Sequence, residues 1–158
     1  GDWAANRLIP DIVRASKQKQ SLSIRHPQAI RPWQWVLEPL GGYMRLAQGL
    51  WQNPEIYSGA WNFGPTYNHA LSVQQLLELW SSMWPWKLDW QVEKSDFHEH
   101  QLLKLDVNKA MKYLNWQNKM DEEQIIAWTV AWYKAWMDGK NMEEETLKQI
   151  ENYEYLLG

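Results

Sequence analysis

Thirteen of the 158 residues are tryptophan and only two are phenylalanine. Aromatic side chains of this size bury roughly 150–250 Å² each, so the chain has to place most of them in a core or against a ligand or partner. Its length permits that, because a chain of about 150 residues buries about 68–70% of its unfolded surface. Hydrophobic residues make up 45% and charged residues 22%, as in an ordinary globular domain and unlike a disordered one. Cysteine is absent. That removes disulfides, thiolate catalysis and cysteine-held zinc or iron–sulfur centres, and it favours a reducing compartment such as the cytoplasm. No stretch approaches 18 uninterrupted apolar residues and the mean hydropathy is −0.63, so no membrane span is expected. The chain opens on Gly1-Asp2-Trp3, with no basic-then-apolar leader. A start without Met leads to the expectation that residues 1–158 are a piece of a longer protein.

Charge is uneven along this chain. Residues 1–50 hold seven basic and three acidic groups, net +4, and the remaining 108 hold nine and sixteen, net −7. A basic third on an acidic protein suits a small anionic ligand such as a phosphate. It does not suit a nucleic acid, whose binders carry a basic isoelectric point and clustered stripes.

Hydrophobic periodicity predicts a mixed architecture. Leu8, Ile9, Ile12 and Val13 fall at helical spacing, with Pro10 early, where its missing N–H costs little. Residues 21–25 alternate as a short strand, and His26-Pro27 turns the chain. A helix from about Leu37 to Trp51 carries Leu40, Tyr43, Met44, Ala47 and Leu50, and Asn53-Pro54 ends it. Residues 60–63 form an apolar strand closed by Gly64-Pro65. Ser72 caps a helix over 73–84 with an inward stripe of Val73, Leu76, Leu77, Trp80 and Met83. Period-two alternation marks strands at 88–92 and 103–106, and a short helix follows at 107–114. Asp121 caps a helix of about 17 residues, ended by Gly139, with Ile125, Ile126, Trp128, Trp132, Tyr133 and Trp136 inward. The last helix spans roughly 142–156. Four or so short strands among five helices read as α/β or mixed α+β.

Catalytic signatures are mostly missing. The chain has no G-x-G-x-x-G, Walker loop, G-x-S-x-G or H-E-x-x-H, and none of its seven tyrosines is followed four residues later by lysine. His98-Glu99-His100 is the one dense titratable cluster. Two histidines sharing a strand face do not make a metal centre, so no metal is expected.

Several segments together resemble the C-terminal part of extended short-chain dehydrogenase/reductase enzymes, the nucleotide-sugar epimerases and dehydratases, above all those acting on CDP-hexoses. The segments are Gly1 to Ala4, Asn6 to Val13, and the string Arg31-Pro32-Trp33-Gln34-Trp35-Val36-Leu37-Glu38-Pro39-Leu40. Trp61-Asn62-Phe63-Gly64-Pro65, His98-Glu99, Leu103 to Asp106, Lys109-Ala110, Leu114-Asn115-Trp116, Thr129 to Tyr133 and Thr146 to Glu151 complete them. The resemblance runs in order along essentially the whole chain.

It implies that the Rossmann half, with its NAD loop, Tyr-x-x-x-Lys pair and acid/base residues, lies outside this chain. Such dehydratases oxidise the hexose at C4 with NAD, eliminate water across C5–C6 and return the hydride to C6. This chain would supply the sugar-nucleotide side, hold neither NAD nor a catalytic residue, and be inactive alone. The resemblance places Arg31 on the diphosphate, where a guanidinium fork fits phosphate oxygens. It places Asn62, Arg7 and the Leu8 amide at the phosphates as well, and lays the base along Leu22, Ser23 and Ile24. His98 becomes a candidate contact. Asp96, near where many relatives carry an arginine, Asn6 in place of an acid and Trp35 in place of a common histidine depart from the pattern and could alter the substrate. The strand at 60–63 would belong to the absent sheet, the parent enzyme would be a homo-oligomer, and the free chain would self-associate. A separate expectation treats the tryptophans as an exposed platform for carbohydrate or a partner. A third keeps the superfamily and changes the enzyme to an epimerase or GDP-sugar dehydratase. The 80–90 tryptophan cluster is expected to mark surface covered by the absent half.

Overall fold

A computed structural model describes residues 3–65, 70–93 and 103–157. The chain runs α1 (Leu8–Gln18), β1 (Leu22–Ile24), α2 (Leu37–Gln52), α3 (Pro54–Tyr57), α4 (Val73–Met83), β2 (Trp90–Val92), α5 (Asn108–Leu114), α6 (Glu122–Met137) and α7 (Met142–Leu157). It is a mixed α/β fold, as expected. Helix ends follow local chemistry. Ser72 and Asp121 each form a reciprocal capping box, with Gln75 and Gln124 respectively, which satisfies two otherwise unpaired amides at each start. Gly139 stands just past α6 with φ +73°, a left-handed stop that glycine adopts without strain.

β1 and β2 pair in parallel, Leu22 against Trp90, Ser23 against Gln91 and Ile24 against Val92. Leu22 and Ile24 point into the main core with Ile12 and Val13 of α1, Leu76, Leu77 and Trp80 of α4, and Ile126, Val130 and Tyr133 of α6. A second cluster gathers Phe63, Val107, Ala110, Leu114 and Trp116, and a third Trp35, Met120, Ile125 and Tyr153.

Three expectations are corrected. First, residues 103–106 form no ladder among the described residues, and neither do residues 60–63, whose expected sheet lies outside the chain. Extended backbone needs a neighbour for its N–H and C=O groups. Here the Leu103 amide donates to the Ile30 carbonyl at 3.2 Å, and side chains supply the other partners: Lys109 Nζ donates to the Ala60 carbonyl at 3.0 Å, Gln34 Nε2 to the Phe63 carbonyl at 3.0 Å and Asn62 Nδ2 to the Asp106 carbonyl at 3.2 Å. Second, the 80–90 tryptophans are not uncovered surface. Trp80 and Trp84 are buried, Trp84 Nε1 donates to Ser16 Oγ at 3.0 Å, and Trp86 and Trp90 pack half-buried against the same core. Third, Trp128, Trp132 and Trp136 are only half-buried, because Ile125, Ile126, Val130 and Tyr133 take the interior of α6. Trp128 meets Trp35 edge-on, and Trp136 lies 4.4 Å from the Trp3 ring.

Helix α2 is turned inside out. Its inward residues are Glu38, Gly42 and Gly49, while Leu40, Tyr43, Met44, Ala47, Leu50 and Trp51 face solvent. An apolar stripe of this kind ordinarily faces a core. The inner side has little room: a Cβ on Gly42 would come within 2.3 Å of the Phe63 ring.

Candidate functional site

The strip from Ile30 to Leu37 carries Arg31, lines a cavity with Arg7 and Leu8, and reaches Phe63 beside Asn62. Ile30 bridges Ser72 in antiparallel fashion. Trp33 Nε1 donates to the Leu71 carbonyl at 2.9 Å, while Gln34 reaches Phe63, next to Asn62. X-Pro sequence keeps this stretch extended, and Arg31-Pro32 is such a pair. Arg31 is half-buried, and its Nη1 donates to the Ile30 carbonyl at 2.9 Å.

Further along, Trp33 to Leu37 wall a cavity of about 410 Å³ together with Arg7, Leu8, Ile9 and residues of α6 and α7. Arg7 is the residue before α1 and is extended, with φ −114° and ψ 130°. No side chain caps α1, so the Leu8 and Ile9 amides have no intrahelical acceptor and the positive end of the helix dipole is open. Helix α4 differs. Its first amides are taken by the Ala29 and Pro27 carbonyls, at 3.0 and 2.8 Å, and by the Ser72 hydroxyl. Of these two helix starts, α1 is the one fitted to an anion. Asp11 in its first turn pairs with Arg14, which also donates to the Trp3 and Ala4 carbonyls and so fixes the entering chain.

The sequence-expected residues fall into groups. Arg7 and Leu8 share the cavity wall, while Arg31, Asn62 and β1 lie off that wall. Asn62 is exposed, one residue from the ring of Trp61, over which Lys109 Nζ stands at 4.1 Å. Within β1, the Leu22 amide donates to the Asp89 carbonyl at 2.8 Å and the Ile24 carbonyl accepts from Glu93 at 2.9 Å. Alternate residues of a parallel strand face the partner strand, so Leu22 and Ile24 direct both backbone and side chain inward. Ser23 alone turns its amide and carbonyl to the outer edge, with its hydroxyl donating to Glu93 Oε2 at 2.6 Å. His98 and Asp96 lie outside the described residues. No group of three metal-binding side chains occurs among the described residues.

Glu38 is the residue whose role sequence reasoning missed. It is fully buried, and its Oε1 accepts from the Lys119 and Met120 amides at 2.8 and 3.0 Å, while its carbonyl accepts from Trp116 Nε1 at 3.0 Å. This carboxylate fastens the start of α2 to the chain entering α6 and so holds the strip in place. A single acid inside the apolar run from Trp35 to Leu40 was the available signal.

Nearby, burial first, and then the Glu38 carboxylate, raise the Tyr153 hydroxyl above the ordinary tyrosine range. A raised acid favours the folded state while it stays protonated, and that contribution is lost as pH rises above the unfolded value of about 10. Denaturation between about pH 9 and pH 12 should therefore show stability falling above about pH 10, with a shallower fall in Tyr153→Phe. Equal slopes for the two proteins would exclude Tyr153 as the cause.

The described residues provide one two-stranded sheet and no glycine-rich turn leading from a strand into a helix. Nor do the tryptophans form a platform: Trp51 is 90% exposed, Trp3 37%, and the other eleven are half-buried or buried.

The arrangement of helices around the small parallel sheet is similar in fold to parts of extended short-chain dehydrogenase/reductase enzymes, over less than half of their length. UDP-glucose-4-epimerase of Stenotrophomonas maltophila, solved with bound NAD and formylated UDP-arabinopyranose, matches with TM-score 0.73 at 14% identity, over 88% of this chain and 43% of that one. The dTDP-glucose 4,6-dehydratase of Bacillus anthracis, solved in complex with NAD, matches with TM-score 0.62 at 17% identity, over 81% of this chain and 39% of that one. No protein-family model matches the chain. In sequence it is 38% identical over 154 residues to CDP-glucose 4,6-dehydratase of Salmonella typhimurium, a match that covers 97% of this chain and 43% of that protein. The resemblance seen in the sequence thus holds along nearly the whole chain, which spans less than half the length of the relatives it matches. No helix among the described residues is long and apolar enough to cross a membrane.

Proposed function

We propose that this chain is the nucleotide-sugar-binding part of a CDP-glucose 4,6-dehydratase-like lyase. The observation that carries the reading is the 38% identity to such an enzyme over 97% of the chain. The geometry supports it: the half-buried Arg31 lies on the strip from residue 30 to 37, the open start of α1 at Arg7 and Leu8 shares a cavity with the strip's far end, and the exposed Asn62 stands beside Phe63, whose carbonyl accepts from Gln34. A diphosphate would lie between the Arg7–Leu8 end and Arg31, with the base against the outer edge of Ser23 and His98 as a further contact. Arginine suits the role because its charge persists and its fork matches phosphate oxygens.

The chain would act as one domain of a longer, NAD-dependent, cytoplasmic enzyme that assembles as an oligomer. On its own it would bind the nucleotide sugar and turn over none of it, because the residues that hold NAD and relay protons would come from the remaining part.

The test is titration of the 158-residue chain with CDP, CDP-glucose, UDP and dTDP, followed by NMR. CDP ligands should shift resonances of Arg7, Ser23, Arg31 and Asn62 most strongly. Arg31→Ala should weaken CDP binding on the order of 10–100-fold, the worth of a charge-assisted bond to phosphate. No shift near Arg31 would refute the binding site. Stronger shifts with UDP or dTDP would keep the superfamily and change the nucleotide.

A further inference from the structure

Asn62 is exposed on an extended segment that no neighbouring strand holds among the described residues. Side chains hold it instead. Lys109 Nζ donates to the Ala60 carbonyl and Asn62 Nδ2 to the Asp106 carbonyl, so both ties run to residues 106–109. A third tie comes from elsewhere: Gln34 Nε2 donates to the carbonyl of the buried Phe63 at 3.0 Å, across 29 positions of sequence. Gln34 belongs to the strip that carries Arg31. Between them the Trp33 amide donates to the Arg31 carbonyl at 2.9 Å. That closes a three-residue turn, and the fixed φ of Pro32 at its centre stiffens it. Gln34 Oε1, by contrast, is shut from water and has no partner among the described residues. An unpaired buried acceptor disfavours the fold, so an apolar side chain of equal length would pack here at least as well. What the amide adds is its donor.

The geometry points to Gln34 as a positioning residue of the phosphate site: its bond to Phe63 fixes Asn62 relative to Arg31, so that the two meet one diphosphate as a unit. This role rests on the nucleotide-sugar reading above. Arg31 stands three residues before Gln34, and Asn62 one residue before Phe63, so a single hydrogen bond closes the frame between them. The strip's other ties lead away from Asn62. Ile30 and Trp33 are held at residues 71–72, and Glu38, just past the strip, at residues 116–120. Groups fixed before a ligand arrives avoid the ordering cost that loose ones incur on binding. Gln34 therefore acts through Asn62 and needs no contact with the ligand itself.

Gln34→Met tests this, since methionine is unbranched, fills similar space and donates no hydrogen bond. With CDP as the probe, the variant chain should bind about 3–10-fold more weakly than the parent, the worth of one neutral hydrogen bond. In an Asn62→Ala background the same change should weaken binding by less than about 2-fold, because residues that act as one unit are not additive. The urea midpoint should stay close to that of the parent, the lost bond being offset by removal of the unpaired Oε1. Without ligand, the backbone amide order parameters of residues 61–63 should fall. Those of Val73 and Gln74, held by the Ala29 and Pro27 carbonyls, should not change. Unchanged CDP affinity overturns the proposal, and so does an equal loss in both backgrounds, which would place the effect on the strip alone. A midpoint well below the parent's also overturns it, since Gln34 would then serve the fold at large. Unchanged order at 61–63 overturns it with no ligand present. If the parent chain binds no CDP, the nucleotide-sugar reading fails, and the ligand-free order parameters by themselves decide whether Gln34 holds Asn62 in place.

Discussion

Glu38→Ala should destabilise the fold by about 3–5 kcal/mol, since it leaves the buried Met120 amide and the part-buried Lys119 amide without their acceptor and opens a cavity beside Tyr153. Both amides, of Lys119 and Met120, are held by the single oxygen Oε1 of a side chain with no solvent exposure. Water reaches the buried Met120 amide only if the chain opens. A loss of this size is a large fraction of the 5–15 kcal/mol that holds a typical domain together. Urea denaturation would read it as a fall in midpoint with little change in slope. Glu38→Gln keeps an oxygen of nearly the same reach and should cost about 1–2 kcal/mol. A cost under 1 kcal/mol for the alanine variant would mean that the 119–120 amides find other partners. The consequence for function follows from position. Glu38 sits at the end of the strip that carries Arg31, Trp33 and Gln34, so a variant that folds should also bind CDP less tightly.

Trp80→Ala is expected to cost about 3–5 kcal/mol, the range for emptying a large aromatic from a core. Trp80 has no solvent exposure and packs against Trp84 and Tyr133, with ring centroids 5.3 and 6.3 Å away. It joins α4 to α6, so the cavity would open at the centre of the main core. Trp80→Phe should cost less, about 1–2 kcal/mol: the smaller ring keeps most contacts, and the indole N–H it removes has no acceptor among the described residues. Thermal unfolding followed by near-ultraviolet circular dichroism would separate the two variants. Equal losses would show that the N–H is paired in solution and that its bond matters as much as the ring volume.

Elements governed by local chemistry were legible in the sequence. The capping boxes at Ser72 and Asp121, the glycine stop at Gly139 and the parallel-paired segments around Leu22–Ile24 and Trp90–Val92 lie where the residue pattern placed them. Each is decided within a few residues, by a side chain that reaches its own backbone or by a period-two run. The strand at 103–106 was misread because alternation gives a segment the preference to be extended and says nothing about whether another strand lies beside it. The buried stripe assigned to α6 was half right for a related reason. Periodicity locates a face, and the neighbours decide how deeply it is covered: Ile125, Ile126 and Val130 reach the interior, while Trp128 and Trp132 stop at its edge.

The thirteen tryptophans fixed that this chain would need an extensive core, because side chains of that area cannot all remain in water. Residue order fixed its helices, their ends and its likeness to nucleotide-sugar enzymes. What only the tertiary structure decided is which apolar surface the core takes. Helix α2 shows why. By pattern alone, Leu40, Tyr43, Met44 and Leu50 are core residues, yet the side that packs is the one where Gly42 and Gly49 allow Phe63 and Tyr57 to approach closely and where Glu38 meets two amides. Close approach and a satisfied buried carboxylate depend on groups at least eight and up to eighty-two positions away in sequence. A helical repeat of 3.6 residues carries no record of them.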